Sequence, residues 1–105
     1  MTASLRLRAL YAPAAGAHIR AGATLRWTAI PGATYYNLQL FRNGRKVLST
    51  WPAGAQFRLP RSWTFNGRHY TLERGSYRWY VWPGLGARSK ARYGKLLGGS
   101  TFTVR

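Results

Sequence analysis

Aromatic or arginine side chains occupy five of the six positions 77–82, within the segment RGSYRWYVWPG at residues 74–84. Successive side chains of a β-strand point to opposite faces of the sheet, so Arg78, Tyr80 and Trp82 would share one face. Flat rings stack on sugars or nucleic-acid bases, and a guanidinium group binds anions. The segment therefore predicts a strand with one buried face and one face whose side chains suit an anionic ligand.

The net charge points in the same direction. The 105 residues include 17 Lys and Arg against one acid, Glu73, which gives a net charge of +16. Repulsion within such a chain lowers its stability, so a polyanionic partner or environment would explain both the many cations and the missing acids. Nucleic acid, an anionic cell-wall polymer and a lipid surface are candidates. A compositional bias towards Arg and deliberate supercharging are the alternatives.

Residue types for catalysis are scarce. With one carboxylate side chain, no pair of acids exists for general acid–base work, and the absence of Cys removes disulfides, thiolate metal sites and Cys nucleophiles. His18 and His69 lie far apart in turn-like segments, where solvated side chains are expected rather than a metal pair. No phosphate-binding or dinucleotide motif is present. We therefore expect no enzyme, no cofactor and no metal site.

Apolar residues recur with a period of two along most of the chain, and no stretch shows a helical period. Asn43-Gly44 is a strong hairpin signal, because both residues accept positive φ. The N-terminal LRLRAL, at 5–10, alternates as a strand does, which favours a strand over a cleavable targeting segment. No segment approaches the length of a membrane span. The pattern predicts six or seven short strands in a single all-β sandwich domain, residues 1–105.

Three segments resemble a fibronectin type III domain: LRW at 25–27, GATYYNLQL at 32–40 and LERGSYRWYV at 72–81. The resemblance implies a seven-stranded, two-sheet Greek-key sandwich of the immunoglobulin-like kind, from a bacterial surface or secreted protein. It also implies a tyrosine corner, in which the Tyr77 hydroxyl bonds to the chain a few residues upstream, near Leu72. The structural residues implied are Trp27, Tyr36, Leu72, Tyr77 and Trp79.

In that family the strands of 32–40 and 72–81 are antiparallel neighbours. Arg78 is then expected near Gln39, and Trp82 towards Tyr35. Across the Asn43-Gly44 turn, the predicted pairs are Phe41 with Lys46, Gln39 with Leu48, and Asn37 with Thr50. The predicted outer face carries Phe41, Lys46, Arg78, Tyr80 and Trp82.

Three interpretations of this face stay open: cross-strand aromatic pairs that support the sheet, partial cover by a segment or neighbouring domain, and a ligand surface. Residues 86–99 would add a basic arm or a turn packed down by Tyr93, Leu96 and Leu97. Either way the segment displays further candidate ligand-binding cations, namely Arg88, Lys90, Arg92 and Lys95.

The favoured function is a non-catalytic binding or spacer module of an extracellular or cell-surface protein, monomeric in isolation. Its partner would be an anionic wall polymer, an acidic glycan or a neighbouring domain, captured by the cations above together with Arg6, Arg8, Arg26, Arg42 and Arg45. The alternatives are a non-specific nucleic-acid binder and a self-assembling subunit or engineered scaffold. Alternate arginines on the first predicted strand disfavour edge-to-edge assembly.

Overall fold

A computed structural model describes residues 9–105, and within this range the chain forms ten strands and no α-helix. One 3-10 turn, Arg88–Lys90, lies between the last two strands. No helix of the described range is long and apolar enough to cross a membrane. The strands are β1 (Leu10–Ala12), β2 (Ala17–Ile19), β3 (Thr24–Trp27), β4 (Ala33–Arg42), β5 (Arg45–Thr50), β6 (Gln56–Arg58), β7 (Ser62–Phe65), β8 (Arg68–Thr71), β9 (Gly75–Leu85) and β10 (Gly98–Val104).

Two sheets enclose the core. One has the strand order β1-β3-β6 and the other β2-β10-β9-β4-β5, with β2 and β10 parallel and all other pairs antiparallel. Trp27 of β3 meets the second sheet, with its ring centroid 5.5 Å from Tyr36 and 6.1 Å from Trp79. Leu25, Leu38 and several further side chains are fully buried around these rings. The predicted all-β sandwich is confirmed.

The predicted count of seven strands is wrong. The first strand of the sandwich is divided, since β1 pairs with β3 in one sheet and β2 pairs with β10 in the other. In addition, β7 and β8 form a separate hairpin around Asn66 and Gly67, both at positive φ. An Asn-Gly pair suits this tight turn for the same reason as Asn43-Gly44. The predicted strand at 5–10 lies mainly outside the described residues.

The structural residues implied by the resemblance lie in the core. Trp27, Tyr36, Tyr77 and Trp79 are buried, and the half-buried Leu72 packs against them. Burial of large side chains is the main favourable term in folding, at roughly 1.5–3 kcal/mol for each large apolar side chain. The sequence period of two therefore located the core correctly along β4 and β9.

The strand register differs from the prediction at two places. Phe41 lies opposite Lys46 as predicted, but Leu40 pairs with Leu48, so Val47 is an extra residue that forms a bulge. This bulge turns both Val47 and Leu48 into the core. Beyond it, the predicted pairs are displaced by one residue: Gln39 faces Ser49 instead of Leu48, and Thr50 faces Leu38 instead of Asn37.

The second difference lies between β4 and β9. Arg78 pairs with Phe41 rather than Gln39, and Tyr80 takes the place opposite Gln39. Trp82 pairs with Asn37, on the side towards Tyr35 as expected. Two non-consecutive strands have no turn to fix their register, so the packing of buried side chains decides it.

Candidate ligand-binding surface

The outer face of the five-stranded sheet holds a groove of about 530 Å³ that opens between β4, β9 and β10. The outer-face groove is lined by residues of these three strands and of the β4–β5 turn, among them Phe41, Arg78 and Tyr80.

Aromatic and cationic side chains meet in this groove and beside it: Phe41, Arg78 and Tyr80 line the groove, and Lys46 lies next to Phe41. The rings of Phe41 and Tyr80 make an edge-to-face contact with centroids 5.6 Å apart, and the Lys46 ammonium lies 6.0 Å from the Phe41 centroid. Both rings are half-buried, whereas Arg78 and Lys46 are exposed. The structure thus brings four of the predicted ligand-binding residues together, and Trp82 extends the row with its ring 6.3 Å from Tyr80.

The Tyr80 ring has a fixed place because the neighbouring strand carries a glycine there. Gly99 of β10 pairs with Tyr80, and a Cβ atom at Gly99 would lie 2.7 Å from the Tyr80 ring. The ring therefore lies close to the Gly99 backbone, an arrangement that stabilises a glycine within a sheet. The absence of a side chain at Gly99 gives the Tyr80 ring its place on this face.

Amide side chains occupy the middle of the outer face. Asn37 is buried and donates through Nδ2 to Ser49 Oγ at 2.9 Å and to the Thr50 carbonyl at 3.1 Å. Its Oδ1 accepts a hydrogen bond of 2.8 Å from Gln39 Nε2. Because these polar atoms satisfy one another, they connect β4 to β5 and hold the floor of the face in one conformation.

The far end of the outer face is covered by the segment between β9 and β10. The Tyr93 ring packs edge-on against the buried Tyr35 ring, with centroids 5.8 Å apart, and the Tyr93 hydroxyl accepts a 3.0 Å bond from Trp51 Nε1. The Arg88 guanidinium lies 4.3 Å from the Trp51 ring centroid. Burial raises the pKa of the Tyr35 hydroxyl, and the nearby Tyr93 hydroxyl adds to the shift without a well-formed hydrogen bond to Tyr35.

The segment at 86–99 is therefore a packed turn rather than a free arm. Backbone bonds tie it to β9, from Leu85 N to the Arg92 carbonyl at 2.8 Å and from Gly94 N to the Pro83 carbonyl at 2.9 Å. Leu97 packs against the core, while Leu96 is exposed. Four predicted ligand-binding cations of this segment are exposed but do not line the outer-face groove: Arg88, Lys90, Arg92 and Lys95.

The outer face has no carboxylate of its own. The one acidic side chain, Glu73, bonds to Arg42 at 2.9 Å, and the second Arg42 nitrogen donates to the Arg74 carbonyl at 2.7 Å. The hydrogen bond that Arg42 donates to the Glu73 carboxylate raises the pKa of Arg42. Since the acid is engaged elsewhere, Arg78 and Lys46 have no carboxylate side chain to neutralise them.

The two histidines do not come together. His18 is exposed on β2 and His69 is exposed on β8, so they belong to different sheets. Within residues 9–105, no group of three or more His, Cys, Asp or Glu side chains is placed to hold a metal ion.

Two features of the structure are not among the sequence predictions: the contacts of Trp51 with Arg88 and Tyr93, and the β7–β8 hairpin. The Asn66-Gly67 pair, between the alternating Trp63 and Phe65 on one side and Tyr70 on the other, was the available signal for the hairpin.

Comparison with known proteins supports the fold alone. No protein-family model matches the chain, and no curated protein matches it in sequence. Among solved structures, the chain is similar to CopC from Methylosinus trichosporium OB3b, with 21% sequence identity over 90% of each chain and a TM-score of 0.51. At this identity the likeness is one of β-sandwich architecture.

Proposed function

We propose that this chain is a non-catalytic binding module that captures an anionic polymer, an acidic glycan or a cell-wall polymer, on the outer face of its five-stranded sheet. The observation that carries the proposal is the outer-face groove, where the half-buried Phe41 and Tyr80 rings lie beside the exposed Arg78. The Lys46 ammonium adds a second cation, 6.0 Å from the Phe41 ring centroid. Rings and cations side by side suit a polymer whose sugar rings alternate with negative groups.

The binding mechanism divides into two parts. The net charge of +16 attracts any polyanion over long range, and this attraction weakens as salt is added. Selectivity then comes from short-range contacts: a sugar ring stacks on Tyr80 or Trp82 while its charged group binds the Arg78 guanidinium. Because Gly99 and the Asn37 amide hold this face in place, little ordering is needed on binding.

We further propose that the module is of the fibronectin type III kind and belongs to an extracellular or cell-surface protein. Two features support this assignment: the buried Trp27 on β3, and the hydroxyl of Tyr77, which accepts a 3.0 Å bond from the backbone N–H of Glu73. The sandwich architecture is common among cell-surface domains. The β7–β8 hairpin, inserted before β9, is a departure from the seven-stranded pattern.

The test is binding to heparin, polygalacturonate, teichoic acid and single-stranded DNA across a salt series. For a purely electrostatic contact, the logarithm of the affinity falls linearly with the logarithm of salt. We expect one of the three non-nucleic-acid polymers to retain an additional affinity near physiological salt. Arg78→Gln should remove it, whereas Arg58→Gln should not, because Arg58 carries the same charge on β6 of the opposite sheet.

Two results would overturn the proposal. If the affinities for all four polymers fall along one steep line as salt is added, the attraction is due to net charge alone and the domain is a spacer. If single-stranded DNA alone keeps the additional affinity, and Tyr80→Ala removes it, the chain is a nucleic-acid binder that stacks bases on its rings. Sedimentation at high salt checks the remaining alternative, since a concentration-dependent oligomer would indicate self-assembly.

A further inference from the structure

A second groove lies on the other side of the β4–β5 turn, between the β4–β5 hairpin and the β7–β8 hairpin. Its volume is about 380 Å³. The sequence does not predict this groove, because the two hairpins are separate in the chain and meet only in the folded domain. The side chains that matter in its lining are Arg42, Arg45, Arg68, Glu73, Trp63 and Tyr70.

The aromatic wall of this groove is fixed. Trp63 Nε1 donates to the Val47 carbonyl at 2.7 Å, which ties the β7–β8 hairpin to the bulge in β5. The Trp63 and Tyr70 rings stack at 6.0 Å with planes 15° apart, and the Arg68 guanidinium lies 5.4 Å from the Tyr70 centroid. Arg68 is thereby held beside the groove over a rigid surface.

The charges in the groove are unbalanced. Arg42 and Arg45 lie directly opposite each other on β4 and β5, an arrangement of like charges that destabilises a sheet. Glu73 neutralises Arg42, but Arg45 and Arg68 have no acid partner. Three guanidinium groups against one carboxylate leave two net positive charges in one small groove. Folding alone would favour an acid at one of these positions.

We propose that this groove binds a phosphate or sulfate group, as an ester or as the free ion. The tetrahedral oxygens of such a group match the fork of N–H donors on arginine, and a dianion would balance the two net charges. The Trp63–Tyr70 wall provides an apolar surface for a ring attached to the ester oxygen. The site uses cations other than Arg78 and Lys46, so this proposal can be tested independently of the proposed polymer-binding face.

The experiment titrates the full chain with inorganic phosphate, inorganic sulfate and glucose 6-phosphate at constant ionic strength set by chloride. Nuclear magnetic resonance follows the indole N–H signals of the five tryptophans and the arginine Nε–H signals. We expect the Trp63 and Arg68 signals to shift and saturate while the Trp27 signal stays constant. Tighter binding of glucose 6-phosphate than of inorganic phosphate would identify the ester as the ligand, and equal binding the free ion.

Variants test whether the two unpaired arginines form the site. Arg45→Gln combined with Arg68→Gln should weaken phosphate binding by about tenfold or more, because charge-assisted hydrogen bonds are lost. Arg61→Gln removes one charge beside the same hairpin without lining the groove, and should leave the affinity unchanged. Arg45→Lys keeps the charge without the fork and should give an intermediate affinity.

The proposal is overturned by any of three results. The indole signals could all shift together without saturation, which would indicate general screening of the positive charge. The Arg45→Gln, Arg68→Gln double variant could bind phosphate as the unchanged chain does. Finally, Arg61→Gln could weaken binding as much as the double variant does, which would make the effect one of net charge.

Discussion

The backbone N–H of Glu73 donates a 3.0 Å hydrogen bond to the hydroxyl of Tyr77, four residues further along the chain. The bond closes the connection from the β7–β8 hairpin into β9, and the Tyr77 ring stacks on Phe102 at 5.3 Å in the core. One side chain therefore fixes both the entry of β9 and its packing against β10. The strand that carries Arg78 and Tyr80 begins at this point.

Removal of the Tyr77 hydroxyl should lower the stability of the domain. Tyr77→Phe keeps the ring but leaves the Glu73 N–H without its acceptor, and we expect a loss of about 1 kcal/mol in the free energy of unfolding. Chemical denaturation measures it. Tyr11→Phe is the control, because Tyr11 is exposed. Equal stability of the two variants would show that this bond contributes nothing.

The resemblance of LERGSYRWYV to a fibronectin type III segment implied this bond, and the period of two along β4 and β9 predicted the buried face. Both signals lie in residues close together in the chain. The bulge at Val47 was not predictable in the same way. It exists because Val47 and Leu48 both find buried positions, and that depends on strands distant in the chain.

The candidate ligand-binding residues were also predictable only where they lie close together in the chain. Phe41 and Lys46 are joined by a short turn, so their proximity follows from the Asn43-Gly44 signal. The groove of Arg45 and Arg68 could not be predicted, since it requires the packing of one hairpin on another. Trp63 makes that packing contact, through a backbone carbonyl that no side-chain pattern reveals.

Tyr93 should hold the turn between β9 and β10 in place. Tyr93→Ala removes both the ring contact with Tyr35 and the bond from Trp51, so hydrogen exchange at the Leu85 and Gly94 amides should become faster. Leu96→Ala is the matched control, since Leu96 is an exposed apolar residue of the same turn. Unchanged exchange in Tyr93→Ala would mean that the backbone bonds alone hold this turn.

Stability should fall at alkaline pH because of Tyr35. Burial raises the pKa of this hydroxyl above 10.0, the ordinary value, which the unfolded chain retains. As pH rises past 10.0 the unfolded chain loses the proton first, so the free energy of unfolding decreases through this window. Tyr35→Phe should remove this part of the decrease, measured by denaturation across pH and compared with Tyr11→Phe. If the free energy of unfolding had the same pH dependence in the two variants, the raised pKa of Tyr35 would be contradicted.

Gly99 should be essential for the outer-face groove although it contacts no ligand. A Cβ atom at this position would lie 2.7 Å from the Tyr80 ring, so Gly99→Ala must displace the ring from its contact with Phe41. We expect a loss of about 1–3 kcal/mol in stability. We also expect loss of the selective polymer binding proposed for this face, with the electrostatic salt dependence retained.

Gly54→Ala is the matched control for this change, because a Cβ atom at Gly54 would have no heavy atom within 4 Å. We expect Gly54→Ala to have the same stability in denaturation, and the same polymer affinity across the salt series, as the unchanged chain. A Gly99→Ala variant that is equally stable would show that the Tyr80 ring does not rest on β10. If it is destabilised but still binds its polymer selectively, the position of Tyr80 does not determine recognition, and the outer-face proposal fails.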